Sequence, residues 1–129
     1  MARFLVVDDE ETIGRTFARM LELDGHQVSR ALSAEAGLEL AAAERPDAIF
    51  LDMRMPVMGG LEFLRRLRQD PALRTVPVGI VTGAYFLGDD VMAELATLGA
   101  RLRHKPVFME DLLALARELL GGDAAPAQG

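Results

Sequence analysis

Ala48-Ile49-Phe50-Leu51-Asp52-Met53-Arg54-Met55-Pro56 is the stretch whose reading decides the fold. Four consecutive apolar residues predict a strand covered on both faces, because such a strand has no side to turn toward water. The run stops on a carboxylate. In a parallel α/β sheet ligands bind beyond the carboxyl ends of the strands, so Asp52 is expected at the mouth of a site and not in the core. Arg54 is too close in sequence to pair with it, and Pro56 ends the extended run. A lone Asp at a strand end also suits a turn, so the rest of the chain decides between the two roles.

At 129 residues the chain has the size of one domain with a single core, expected over residues 1–121. The segment 122–129, Gly-Asp-Ala-Ala-Pro-Ala-Gln-Gly, has no apolar face and is expected to be a disordered tail or the start of a linker. The absence of Cys excludes disulfides, zinc-thiolate sites and thiol nucleophiles. A formal net charge of −6 argues against a surface that grips a phosphate backbone. Met1-Ala2-Arg3 leads into a short strand and then into Asp8-Asp9-Glu10-Glu11, which does not suit a signal peptide. No apolar run approaches the ~20 residues that span a bilayer. A cytoplasmic protein with no membrane or nucleic-acid partner is the expectation.

Phe4-Leu5-Val6-Val7 predicts a second buried strand, and it ends on Asp8 and Asp9. Adjacent acids repel and lose hydration unless a cation joins them, although acids just before a helix also complement its dipole. Ile13, Phe17, Met20 and Leu21 recur at helical spacing, closed by Asp24-Gly25. His26 to Ala31 reads as an edge strand. Ser33 is the expected N-cap of a helix that presents Ala36, Leu40 and Ala43 on one face. After Gly59-Gly60, Leu61, Leu64 and Leu67 mark a third helix that runs to Asp70-Pro71. Val78-Gly79-Ile80-Val81 is a fourth strand with Thr82 at its tip. Asp89-Asp90 open a helix through Val91, Leu95 and Leu98 that stops at Gly99. Ala100 to His104 is a poorly apolar edge strand that delivers Lys105-Pro106. Phe108, Leu112, Leu115, Ala116 and Leu119 complete a last amphipathic helix. His26 and His104 have no partners at metal-ligand spacing and are expected to be ordinary surface or half-buried residues.

Five strand-helix units in alternation predict a doubly wound parallel α/β sheet. Four of its strands end on Asp8-Asp9, Asp52, Thr82 and Lys105, which gathers acids, a hydroxyl and an ammonium at one rim. A hard divalent cation, Mg²⁺ or in its place Mn²⁺, suits that acid set. Three carboxylates around one such ion leave one negative charge, which Lys105 balances. Asp52 is then the candidate nucleophile toward a phosphoryl donor. Lys105, the Thr82 hydroxyl and the backbone N–H groups of Met53, Gly83 and Ala84 are candidates to receive the phosphoryl oxygens.

Asp8, Asp9, Asp52, Thr82 and Lys105-Pro106, with Met55-Pro56 and Gly60, resemble the receiver domain of bacterial two-component response regulators. The likeness runs from Arg3 to about Leu120. It implies a flavodoxin-like sheet of order 2-1-3-4-5 and phosphorylation of Asp52 by a histidine kinase or phosphotransfer protein. It further implies Mg²⁺ held by Asp8, Asp9, Asp52 and the backbone carbonyl of Arg54, and a cis bond before Pro106. Thr82 turning toward the phosphoryl group would switch the α4-β5-α5 surface, meaning the fourth helix, fifth strand and fifth helix. That surface would meet a downstream effector or output domain, as a monomer or a phosphorylation-promoted dimer. Arg101, Arg103, Asp89, Asp90 and Glu94 are the charges expected to serve partner contacts there. The family's aromatic on the fifth strand is replaced by Leu102, which has no ring to swing inward, so the Tyr85-Phe86 loop is expected to share the readout.

Two other functions use the same residues. An aspartate-nucleophile phosphatase would carry a second Asp two residues after the first, where this chain has Arg54. A degenerate receiver would dock partners without phosphorylation, which the complete set of acids, Thr and Lys argues against. The expected product is a signalling switch that catalyses only its own phosphorylation and dephosphorylation.

Overall fold

Successive residues of a strand face opposite sides of the sheet, and β1 (Arg3–Val7) buries apolar side chains on both. Phe4 and Val6 pack on one side, Leu5 and Val7 on the other. β3 (Ala48–Leu51) does the same with Ala48 and Phe50 against Ile49 and Leu51. A sheet that is apolar on both faces needs a layer of helices on each. The computed structural model, which describes residues 1–83 and 87–121, supplies them.

In chain order the remaining elements are α1 (Glu11–Leu23), β2 (Gln27–Ala31), α2 (Ala34–Glu44), α3 (Gly60–Gln69), β4 (Val78–Thr82), α4 (Asp89–Thr97), β5 (Arg101–His104) and α5 (Met109–Leu119). The strands are all parallel in the order β2-β1-β3-β4-β5, as the likeness to receivers implies. Phe17 and Leu21 of α1 and Leu112, Leu115 and Leu119 of α5 cover the Phe4 and Phe50 face. Phe63, Leu64 and Leu67 of α3, with Ala34 and Ala41 of α2 and Leu95 of α4, cover the other. Two glycines let helices come close. A Cβ on Gly37 would lie 2.9 Å from a Val7 methyl, and one on Gly79 would lie 3.0 Å from side-chain carbons of Leu115 and Leu119.

Ser33 caps α2 as expected, its hydroxyl accepting from the Ala36 N–H at 3.1 Å. The buried stripe of α2 is Ala34, Gly37 and Ala41, however, and Ala43 is exposed. The helix is rich in alanine on every side, so its apolar residues do not single out one face, and the close approach at Gly37 sets the register. Phe108 also departs from its expected core position. It precedes α5 as N-cap and is 65% exposed, while its N–H donates to the Asp111 carboxylate at 3.1 Å. His26 is half-buried, with Nδ1 accepting from the Ala2 N–H at 3.0 Å and its ring edge-on to Phe4.

Val57, in the loop between β3 and α3, has φ +70° and is 95% exposed. A β-branched residue in the left-handed region is strained, and here no burial offsets that strain. Val57→Gly is expected to raise unfolding stability by about 1 kcal/mol in urea denaturation. A loss of stability would show that the Val57 side chain makes a stabilising contact.

Candidate functional site

Strand register builds the site before any side chain does. Val7 pairs with Leu51, so the next residues on the two strands, Asp8 and Asp52, stand side by side as the strands end. The Asp52 N–H donates to the Val7 carbonyl at 3.0 Å and the Asp8 N–H to the Ala31 carbonyl at 3.1 Å, which fixes both backbones. On the other flank the Lys105 N–H donates to the Thr82 carbonyl at 2.8 Å, which holds the lysine against the end of β4. The Lys105–Pro106 bond is cis.

Asp8, Asp52 and Thr82 are the buried polar side chains among the described core residues, 4%, 8% and 0% exposed. Asp9 is exposed. One carboxylate oxygen from each of Asp8, Asp9 and Asp52 lies within 4.8 Å of the other two. Lys105 Nζ stands 3.8 Å from Asp8 Oδ2 and 3.8 Å from Asp52 Oδ1. These are longer than the roughly 2.7–2.9 Å of a charge-assisted hydrogen bond, so the ammonium shares two acids and closes on neither. The group opens into a cleft of about 470 Å³ that Asp9, Asp52, Arg54, Thr82, Gly83 and Lys105 line.

Electrostatics follow from burial. Asp52 is pushed from 3.8 to about 6, first by loss of water and then by Asp8, while Lys105 and the Arg54 N–H pull the other way. Burial also raises Asp8, against a hydrogen bond from the Glu10 N–H at 2.9 Å. The acids are therefore short of positive charge. A divalent cation between them would reverse the repulsion, and Asp8, Asp9 and Asp52 have the oxygen chemistry to hold one.

Most of the residues singled out from sequence meet here. Met53 is half-buried beside the cleft, Arg54 is exposed on its rim, and Gly83 lies 4.0 Å from the Lys105 side chain by its would-be Cβ. Leu102 is half-buried on β5 opposite Ile80 and packs against the α3-side core. Ala84 and Tyr85 lie outside the described residues, as does the segment 122–129. The charges expected to meet partners are mostly engaged within the chain. Arg101 and Arg103 both donate to Glu118, and Glu94 takes two bonds from Arg65 at 2.6 and 2.7 Å.

One contributor, Glu10, went unassigned from sequence, and Gly60, named there only through the likeness to receivers, gains its physical reason here. Glu10 lines the cleft and its N–H positions Asp8; its place directly after two acids was the available signal. Gly60 approaches Asp52 so closely that a Cβ would fall 2.7 Å from the Asp52 carbonyl, and its N–H donates to the Met53 carbonyl at 3.0 Å. The site therefore needs a glycine where the loop doubles back.

Residues 4–117 match the family described as the response regulator receiver domain. PilH of Pseudomonas aeruginosa is 38% identical over 123 residues, which are 95% of this chain and all of that protein. MprA of Mycolicibacterium vanbaalenii is 36% identical and PleD of Caulobacter vibrioides 35%, and the matches span 50% and 25% of those longer proteins. The chemotaxis protein CheY4 of Vibrio cholerae superposes with a TM-score of 0.85 at 30% identity, covering 93% of this chain and 99% of its own.

With divalent ions chelated, the raised Asp52 implies a definite pH dependence. Between about pH 4 and 6 the native state holds a proton that the unfolded chain releases, so this group's effect on stability worsens as pH rises through that window. Asp52→Asn is expected to be more stable than wild type by about 1–2 kcal/mol at pH 7, the gain vanishing below about pH 4. Urea unfolding in EDTA across this range measures it; a gain independent of pH would contradict the assignment. Buried neighbouring acids, a lysine between them, five parallel strands in the order 2-1-3-4-5 and the match over residues 4–117 agree on one conclusion: the chain belongs to the response regulator receiver family.

Proposed function

We propose that Asp52 is the phosphoacceptor and that a histidine kinase or phosphotransfer protein is the donor. The observation that carries this reading is a half-neutralised pair of buried acids, with one lysine 3.8 Å from both and a hydroxyl at the end of the next strand. Asp8, Asp9 and Asp52, with the Arg54 carbonyl, would hold Mg²⁺, which supplies charge neutralisation for a dianionic phosphoryl group.

The chain's own residues account for the rest. An oxygen of Asp52 attacks phosphorus and the donor departs with the bonding pair. Lys105 is near enough to Asp52 to move its ammonium onto an incoming phosphoryl oxygen, releasing Asp8 to the cation side. Thr82 sits at the end of β4 with a hydroxyl suited to another oxygen. Backbone N–H groups of Met53, Gly83 and Ala84 serve the remaining positions. Because the phosphoryl group rewards only the arrangement that turns Thr82 and Lys105 toward it, phosphorylation shifts the population of the surface above β4 and β5. A coupling of about 1–3 kcal/mol suffices for a graded signal to an effector or output domain. The chain is in this reading a switch that catalyses only its own phosphorylation and dephosphorylation, and it acts in the cytoplasm.

Incubation with acetyl phosphate and Mg²⁺ is expected to add one phosphoryl group by mass. Asp52→Asn should abolish the addition and Lys105→Ala should slow it by about two orders of magnitude or more. Full labelling of Asp52→Asn would overturn the assignment. Turnover of a generic phosphomonoester would instead support the phosphatase chemistry.

A further inference from the structure

A second cleft lies at the opposite end of the sheet, where the strands begin, with a volume of about 690 Å³. The end of α3, the turn that follows it, the end of α4, the start of β5 and the end of α5 border this open cleft. In a chain of net charge −6, its lining carries Arg68, Arg74 and Arg101 against one acid, Glu118. That acid is shared between two arginines, Arg101 at 3.1 Å and Arg103 at 2.7 and 2.8 Å, so the trio keeps one net positive charge at the cleft.

Arg68 is the central group. Its Nε donates to the Leu98 carbonyl at 2.8 Å, and its Nη1 to the Arg74 and Val76 carbonyls at 3.0 and 2.7 Å. These bonds cover carbonyls at the end of α4 and in the turn, which would otherwise repel an anion. The guanidinium has no carboxylate partner among the described residues, and burial pushes its pKa down. Its Nη2 has no acceptor among the described residues and lies 3.9 Å from where a Cβ on Gly99 would begin, so the missing side chain leaves that nitrogen open. A half-buried cation that satisfies backbone carbonyls and still presents two N–H donors to a cleft is suited to an anion. Arg74 is exposed and makes no ion pair among the described residues, which leaves it available as well.

We infer that this cleft binds a phosphate-bearing small molecule of nucleotide size, with Arg68, Arg74 and Arg101 on the phosphates and Pro77, Leu98 and Leu119 as an apolar wall for the ring. The volume falls within the roughly 300–1,000 Å³ of small-molecule sites. Arginine forks match phosphate oxygens in pairs, and three arginines suit a group that carries more than one negative charge. Because Arg68 holds the end of α4 and Arg101 opens β5, occupancy would bear on the same elements that phosphorylation is proposed to switch. The site is independent of that proposal, since it shares no residue with the acidic cleft.

The probe is ADP added to the full ¹⁵N-labelled chain in EDTA, so that no bridging ion draws it to the acids. Amide shifts are expected at Val76, Gly99 and Arg101, with Asp8 and Asp52 unmoved and adenosine inactive. Arg74→Ala with Arg101→Ala, both exposed positions, is expected to weaken binding by roughly tenfold or more while acetyl phosphate labelling stays intact. Absence of shifts, shifts centred on Asp8 and Asp52, equal binding by the double variant, or equal binding of adenosine would each overturn the inference.

Discussion

Two carboxylates buried side by side at the edge of an apolar sheet are the constraint around which this molecule is arranged. Neighbouring parallel strands in this register cannot keep Asp8 and Asp52 apart, and the hydrophobic layers on both faces deny them water. One lysine at 3.8 Å from each offsets part of the repulsion. The remainder is the raised Asp52, a cost in stability at neutral pH that marks this rim as a candidate for function. A divalent cation held between the acids would relieve that cost.

The supports of the site differ in firmness, and the difference has a use. β1 and β3 are buried along nearly their whole length, and Gly60 presses the following loop against Asp52. The acids therefore sit on a rigid base. α4 is held otherwise: Leu95 is its buried residue, and much of its attachment runs through Arg65 to Glu94 and Arg68 to the Leu98 carbonyl. Polar clamps on an exposed helix are weaker than core packing, so α4 is among the elements cheapest to rearrange. A signal generated at Asp52 would reach partners most readily through such an element.

Much of this was legible in the residues. Unbroken apolar runs that stop on Asp8 and Asp52 disclosed both strands and the rim, because strands covered on two faces leave no polar side to confuse the reading. Ser33 and the glycines after α1 and α4 marked helix ends through their own backbone chemistry. What escaped depended on contacts distant in sequence. The register of α2 is set by Gly37 against Val7, and a helix rich in alanine carries no moment to reveal it. Phe108 looks like the first residue of an apolar stripe until Asp111 caps the helix behind it. The demand for glycine at position 60 comes from the Asp52 carbonyl, which no local pattern displays. The charges on β5 read as a partner surface until Glu118 of α5 is seen to claim both arginines.

The claim that Asp8, Asp9 and Asp52 act together as one divalent-cation site is tested most directly by titrating the ¹⁵N-labelled chain with Mn²⁺ at neutral pH and recording paramagnetic broadening. The account predicts that amides at the ends of β1 and β3 broaden first, that Mg²⁺ restores them by competition, and that Asp9→Asn with Asp52→Asn abolishes the effect. Broadening centred elsewhere, or unchanged in that double variant, would contradict it.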